Sequence, residues 1–411
     1  MPILKNISEL ATCPAGSSQQ DAGLLHNAAL VWQGQEIAWV GPADKIPNLY
    51  AAENVIDCHG GLVVPGLIDC HTHLCFGGWR EQEFELRNEG ASYQQIAEAG
   101  GGIRSTVKST RAASLGSLLR STLQHLDGML QLGITTVECK SGYGLDLATE
   151  LKQLEVYRQA AVRHQLDLVP TFLGAHSIPP EFINRRGGYI QLLCEEIIPM
   201  VAAEKLAVFC DIFVEQGAFT CDEAREVLSV AREFGMKLKI HADQLSDQGA
   251  AGLAAEMGAV SAEHLEYASE QGIRAMASAG VVAVSLPLAS LYLREKQTPS
   301  RLFLDAGAQV AIATDFNPGS APSYHLPLAM TLACINQALT PQEALMGATQ
   351  VAAKALQLHH RIGSLQAGYQ ADIAVIDAPS LSQWLYHFRD NACQAVIKKG
   401  EWLKPVLTRL H

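Results

Sequence analysis

The 411-residue chain lacks any apolar stretch long enough to cross a bilayer: runs such as Val281 to Leu286 fall far short of the roughly 20 residues a spanning helix needs. Met1-Pro2-Ile3-Leu4 opens no basic-then-apolar signal segment, so a cytoplasmic protein without a membrane partner is expected. Basic residues are outnumbered, 30 against 42, and form no run; a net charge of −12 repels phosphate backbones, and no nucleic-acid partner is expected. The ten cysteines (13, 58, 70, 75, 139, 194, 210, 221, 334 and 393) include no Cys-x-x-Cys pair, which argues against a disulfide framework or a Cys-rich zinc module and for reduced, buried thiols. Gly100-Gly101-Gly102 has no phosphate-cradle context and reads as a hinge or mobile loop.

What remains is a chain that is 48% hydrophobic, enough to bury a large core. The first sixty residues alternate short apolar runs with Gly and Pro turns: 28–32, a turn at Gly34-Gln35, 36–40, then 54–57. The C-terminal end repeats this style at 371–377 and 395–403. Neither end holds enough apolar surface to fold alone, so 1–60 and 362–411 are expected to pair as one small β-sandwich domain around an inserted segment, 61–361. That segment reads as strand then helix, with strands over 62–69, 134–139, 168–174, 208–214, 237–241, 259–263, 281–286 and 310–314. Helical patterns lie between them. Residues 221–234 put Ala224, Val227, Leu228, Ala231 and Phe234 on one face after a Thr220/Glu223 capping box, and 148–165 and 341–358 look similar. Eight strands alternating with helices predict an α/β fold, a (β/α)8 TIM barrel.

In such a barrel chemistry sits at the C-terminal strand ends. Strand one runs into His71 and His73, whose spacing puts both imidazoles on one side of an extended chain. Two histidines so spaced also arise by chance on polar strand faces. Strand three, however, ends at His176, strand five at His241, strand six at His264 and strand eight at Asp315. His71, His73, His241 and Asp315 are the expected ligands of one divalent metal, zinc or iron, since three imidazoles and a carboxylate suit a borderline-soft ion. Such an ion lowers the pKa of bound water toward roughly 7 and so supplies a nucleophile for a carbonyl or amidine carbon. A second ion would need a bridging residue at the end of strand four, where Glu215 is the one candidate. Cys70 and Cys75, beside the histidine pair, read as packing residues.

The Pro65-Gly66-Leu67-Ile68-Asp69-x-His71-x-His73 segment, the later His241, His264 and Asp315, and Gly363-x-Leu365-x-x-Gly368-x-x-Ala371-Asp372 resemble the amidohydrolase superfamily of metal-dependent hydrolases over nearly the whole chain. Blocks 73–80, 140–144, 172–176 and 314–320 are similar to a branch that opens a small cyclic amide. This resemblance implies hydrolysis of the ring amide C–N bond of 4-imidazolone-5-propanoate to N-formimidoyl-L-glutamate, in histidine degradation. It also implies a homodimer as a family-level expectation. For that anionic substrate, Arg80 is the expected carboxylate ligand, because a guanidinium grips a carboxylate bidentately. Tyr143, in a Gly-flanked turn, approaches the ring; His176 and Asn317 offer hydrogen bonds; Gly319 and Ser320 offer N–H and hydroxyl groups to the product's extended arm.

The chain departs from related members at His241-Ala242-Asp243-Gln244, where others carry Glu three residues after the histidine. Gln244 cannot take a proton at neutral pH, so it is expected only to orient substrate, leaving proton transfer to His264 and Asp315. Two other readings are a deaminase of a nucleobase-like ring on the same barrel, disfavoured by Gln244, and an inactive scaffold, disfavoured by the complete ligand set. Glu81, Glu83, Glu85 and Glu89 read as a solvated face, one of which could steady Arg80.

Overall fold

A computed structural model describes residues 1–50, 54–90 and 100–404. The chain begins with β1 (Pro2–Ala11), β2 (Leu24–Gln33), β3 (Glu36–Pro42) and β4 (Asn54–Pro65) and ends with β13 (Ile373–Ile376), β14 (Cys393–Lys398) and β15 (Glu401–Lys404). All seven lie in one sheet, in the order β15-β14-β13-β4-β1-β2-β3, antiparallel except for the β1–β4 pair. The hairpin turns at Gly34-Gln35, where Gly34 takes a positive φ of 57° and Gln33 pairs with Glu36. The strands of both chain ends thus form the separate small β domain expected of them, in which β2 and β15 come together. Trp32 of β2 packs edge-on against Trp402 of β15 at 6.2 Å, and the Trp32 indole N–H donates to the Gly400 carbonyl at 2.9 Å. Leu4, Leu30, Val63, Ile373 and Ile397 fill the fold.

Between these ends run β5 (Leu67–Asp69), β6 (Ile134–Lys140), β7 (Asp167–Ala175), β8 (Phe209–Val214), β9 (Lys237–Ala242), β10 (Ser261–His264), β11 (Val282–Ser285) and β12 (Val310–Ile312). They form one parallel sheet in sequence order, the (β/α)8 barrel. The strand expected over 62–69 divides at Gly66. The Gly66 N–H bonds to Asp372 in the terminal sheet and the Leu67 N–H to Gly133 at the barrel, so the chain changes sheets in one residue. A Cβ on Gly66 would collide with Thr135, which is why the crossing needs glycine.

The barrel closes just beyond its first and last strands. Thr72 bridges to Phe316, the Asp315 N–H donates to the His71 carbonyl at 3.1 Å, and the His73 N–H donates to Phe316 at 2.8 Å. Below this seam the Asp69 carboxylate accepts from the Thr314 N–H and hydroxyl. Closing the barrel therefore places the histidine pair against Asp315.

The helix Cys221–Glu233 carries the expected capping box and buries Ala224, Val227, Leu228 and Ala231. Phe234 does not join them: it caps the helix past its last turn and is 49% exposed. The helix expected over 341–358 is two, Pro341–Gly347 and Gln350–Ala355, because Ala348 turns its carbonyl to the Ile68 N–H of the barrel and Thr349 leaves helical geometry. All ten cysteines are free thiols, seven of them buried, and burial pushes Cys13 up to about 12. Among the described residues no helix is long and apolar enough to cross a membrane.

Candidate metal centre and active site

Four side-chain atoms converge at the mouth of the barrel. His71 Nε2 lies 3.3 Å from His73 Nε2, His241 Nε2 lies 3.5 Å from His73 Nε2, and Asp315 Oδ1 stands 3.3 Å from His71 Nε2 and 3.4 Å from His73 Nε2. These four separations match edges of a regular tetrahedron whose corners lie about 2.0–2.1 Å from its centre, the bond length zinc makes to imidazole nitrogen and carboxylate oxygen. All four residues are buried. The donor set is therefore chemically and geometrically suited to a divalent ion. Cys70 and Cys75 stand in none of the metal-competent groups among the described residues.

Electrostatics favour the ligating forms. Burial holds His71 well below the usual imidazole range and brings His241 down to about 4, so both rings are neutral at pH 7. Burial alone would raise Asp315, but contacts from His71 and His73 outweigh it and keep the carboxyl well below its ordinary value. Asp315 and His264 adopt positive φ, 55° and 75°, left-handed conformations that non-glycine residues seldom hold except where the surroundings over-determine them.

A cavity of about 670 Å³ opens above these ligands, lined by Arg80, Tyr143, His176, Gln244, His264 and Ser320 among others. His176 stacks on His73 at 5.1 Å and turns Nδ1 to the Gly142 carbonyl at 3.1 Å. Tyr143 sits 5.8 Å from His73 and 5.4 Å from His176, ring to ring. Its flanking glycines are needed there: a Cβ on Gly142 would strike the Leu173 carbonyl, and one on Gly144 the Glu150 backbone. Around His264, burial opposes the charged ring, yet Glu266 at 3.6 Å, with Asp315 and Glu263, raises it above the ordinary imidazole value.

The Arg80 side chain is largely enclosed; its Nε lies 3.6 Å from Glu83 Oε2 and makes no hydrogen bond among the described residues. Glu83 is not part of a solvated face; it is buried and accepts from the Gly102 N–H at 2.7 Å, tying the glycine loop to this wall. Residues 91–99, just before that loop, lie outside the described residues.

The loop after β12 is tied together by its own hydrogen bonds. The Gly319 and Ser320 N–H groups both donate to Asn317 Oδ1 at 2.8 Å, and Asn317 Nδ2 donates to the Asp315 carbonyl and to Ser320 Oγ. These bonds hold the turn, and Ser320 also reaches Asp315 Oδ2 at 3.4 Å through its hydroxyl. Gly319 has a different function. A Cβ there would fall on the Arg80 guanidinium, so glycine makes room for the arginine. Glu215 is held by the chain itself: its oxygens accept from the Gln216, Leu245 and Ser246 N–H groups and the Ser246 hydroxyl.

Beneath the ligands lies a layer the sequence reading did not single out. Glu138, Lys140, Asp211, Lys239 and Glu263 point into the barrel with no solvent exposure. Charged residues two apart within apolar strands, Glu138-Cys139-Lys140 and Lys239-Ile240-His241, were its signal, since alternate residues face one side. Glu266, behind His264, and the cavity-lining Arg104 and Glu295 were missed as well.

Residues 62–403 match the Amidohydrolase family. An imidazolonepropionase of Symbiobacterium thermophilum is 46% identical over 390 residues, covering 94% of this chain and 92% of that one. Another, of Geobacillus kaustophilus, is 45% identical and covers 93% and 91%. Among solved structures, a triazine hydrolase variant matches with a TM-score of 0.74 at 18% identity, covering 100% of this chain and 96% of that one. An adenosine deaminase from Xanthomonas campestris with bound zinc gives 0.69 at 19%, covering 98% and 92%; at such identities the likeness concerns the fold. Sequence, barrel and ligand cluster agree: the chain belongs to the amidohydrolase family of metal-dependent hydrolases, beside the imidazolonepropionases it resembles.

Proposed function

We propose that this protein hydrolyses the ring amide C–N bond of 4-imidazolone-5-propanoate to N-formimidoyl-L-glutamate, a step of histidine degradation, as the names of its relatives suggest. The observation that carries the reading is that overlapping groups of metal-competent histidines and Asp315 share one cavity with Arg80, a largely enclosed arginine whose Nε makes no hydrogen bond among the described residues. His71, His73, His241 and Asp315 would hold one ion, zinc or iron. When bound, it would make water a nucleophile at neutral pH and polarise the ring carbonyl.

The chain's own groups do the rest. Arg80 grips the propanoate carboxylate and sets the distance from that anchor to the ring. Tyr143 and His176 wall the ring on the His73 side, while Gln244 orients it as donor and acceptor. Attack on the carbonyl releases a proton, which Asp315 Oδ2 or His264 takes up and delivers to the departing ring nitrogen. That transfer turns a poor leaving group into a neutral amidine. Asn317 and Gly319 act on substrate only indirectly, through the loop and Arg80. We further propose a cytoplasmic enzyme whose chain ends, 1–60 with 362–411, form one unit beside the barrel, 61–361.

Following the imidazolone absorbance before and after chelation tests this reading. Turnover should vanish on removal of the ion and return with one equivalent of zinc or iron per chain. Full turnover in metal-free protein, or release of ammonia in place of ring opening, would overturn it.

A further inference from the structure

The buried charge layer bears on one metal ligand in particular. Asp211 Oδ2 stands 3.0 Å from His241 Nδ1, the ring nitrogen turned away from the metal cluster, though not aligned as a linear hydrogen bond. The same carboxylate oxygen accepts from Lys140 Nζ at 2.7 Å, and its other oxygen accepts from the Ile212 N–H at 2.8 Å. Lys140 also reaches Glu138 Oε1 at 3.0 Å, which Lys239 approaches at 3.1 Å. Glu263 completes the layer, 4.0 Å from Lys140 and 3.9 Å from His241 Nδ1. None of the three Nδ1 atoms makes an aligned hydrogen bond among the described residues, but only His241 Nδ1 has carboxylate oxygens within 4 Å. Of the three imidazoles, His241 alone is backed by a carboxylate at contact distance.

Resting on the metal-site reading above, we infer that Asp211 is a positioning residue for the metal centre, locking His241 with Nδ1 protonated and Nε2 free to ligate, and that Lys140 holds Asp211 in place as an anion. Two facts carry it: the carboxylate is wholly buried, and its contacts join the ligand on one side to a buried ammonium on the other. A carboxylate behind a ligating histidine fixes its tautomer and raises its basicity, and losing it typically costs about 10–100-fold in metal affinity. Lys140 contributes differently. It neutralises a carboxylate that could not otherwise stay ionised in the barrel interior, so its effect falls on folding more than on the ligand.

The two roles predict opposite patterns in two variants. In competition with a zinc chelator, Asp211→Asn should bind zinc about 10–100-fold more weakly than the parent, while KM of the zinc-saturated enzyme stays within about threefold. Lys140→Gln, which keeps a donor toward Asp211, should lower the thermal midpoint yet hold zinc within about threefold of the parent. An Asp211→Asn protein with parental zinc affinity overturns the inference, as does loss of zinc in both variants in proportion to their fall in thermal midpoint. If Asp211→Asn does not fold, Asp211→Glu decides: about tenfold weaker zinc binding by folded protein supports the assignment, and parental zinc affinity refutes it. A parent holding no ion would overturn the metal-site reading and this inference together, whereas a parent with one equivalent beside an unaltered Asp211→Asn removes this inference alone.

Discussion

Arg80 shows how much one residue depends on what its neighbours omit. Its guanidinium lies beside Glu83, too far for a hydrogen bond through Nε, and occupies space left by the missing side chain of Gly319. Replacing Arg80 with Ala should raise KM about 10–100-fold and leave kcat within a few-fold, the cost of a charged hydrogen-bond pair made in ground and transition state alike. Steady-state kinetics check this, and an unchanged KM would remove Arg80 from carboxylate binding. His264 should behave in the opposite way. Placed over the cluster at a φ of 75°, it is set for proton transfer, so His264→Ala should lower kcat about 10²–10⁴-fold with zinc content unaltered. Parental turnover in that variant would end the assignment. His241 and Asp315 became candidates through residue type and strand-end position, and Arg80 through the family resemblance; Asp211 and Glu266 did not, because a buried carboxylate shows its use only through what it touches.

At the scale of elements, the loop after β12 works as one unit. Asn317 ties two backbone N–H groups and two acceptors into a closed turn, and that turn fixes both Asp315 and the space for Arg80. Gly319→Ala should therefore mimic loss of Arg80, with KM rising about tenfold or more while metal binding and fold persist. Titrating substrate against zinc-loaded variant separates this from general damage, since parental KM would show that Arg80 has room elsewhere. Apolar periodicity located the strands and the helix after Thr220 because each signal is local. It failed at 341–358 for a nonlocal reason: the Ala348 carbonyl is drawn off by a barrel strand 280 residues earlier. Phe234 fits the helical pattern but lies one position past the last turn, where the face no longer reaches the core.

At the scale of the molecule, the terminal sheet and the barrel are joined by a half-buried polar cluster. Asp167, at the start of β7, meets Lys398 Nζ at 2.8 Å and Lys399 Nζ at 2.6 Å, and Lys398 also holds Asp372 at 2.7 Å. Burial would raise the Asp167 carboxyl, but the two lysines outweigh it and hold it below its ordinary value. A carboxylate whose pKa is lower folded than unfolded contributes its full stability above the unfolded value, about 3.9, and loses it as pH falls through the folded value. Asp167→Asn should thus cost on the order of 1–2 kcal/mol at pH 7 and flatten the acid side of the stability curve below about pH 4. Denaturant unfolding at a series of pH values checks it; parallel curves for parent and variant would show that the junction takes no part in acid sensitivity.

The sequence by itself determined which segments are strands, that they alternate with helices, and which imidazoles and carboxylate could ligate an ion, because backbone periodicity and donor chemistry are properties of short stretches. Only the tertiary structure decided that His71 and Asp315, 244 positions apart, face one another, since that follows from the hydrogen bonds closing the first strand of the barrel on the last. It likewise decided which buried charges support the ligands, because contact at 3 Å between strands is set by register and packing, and residue order carries neither.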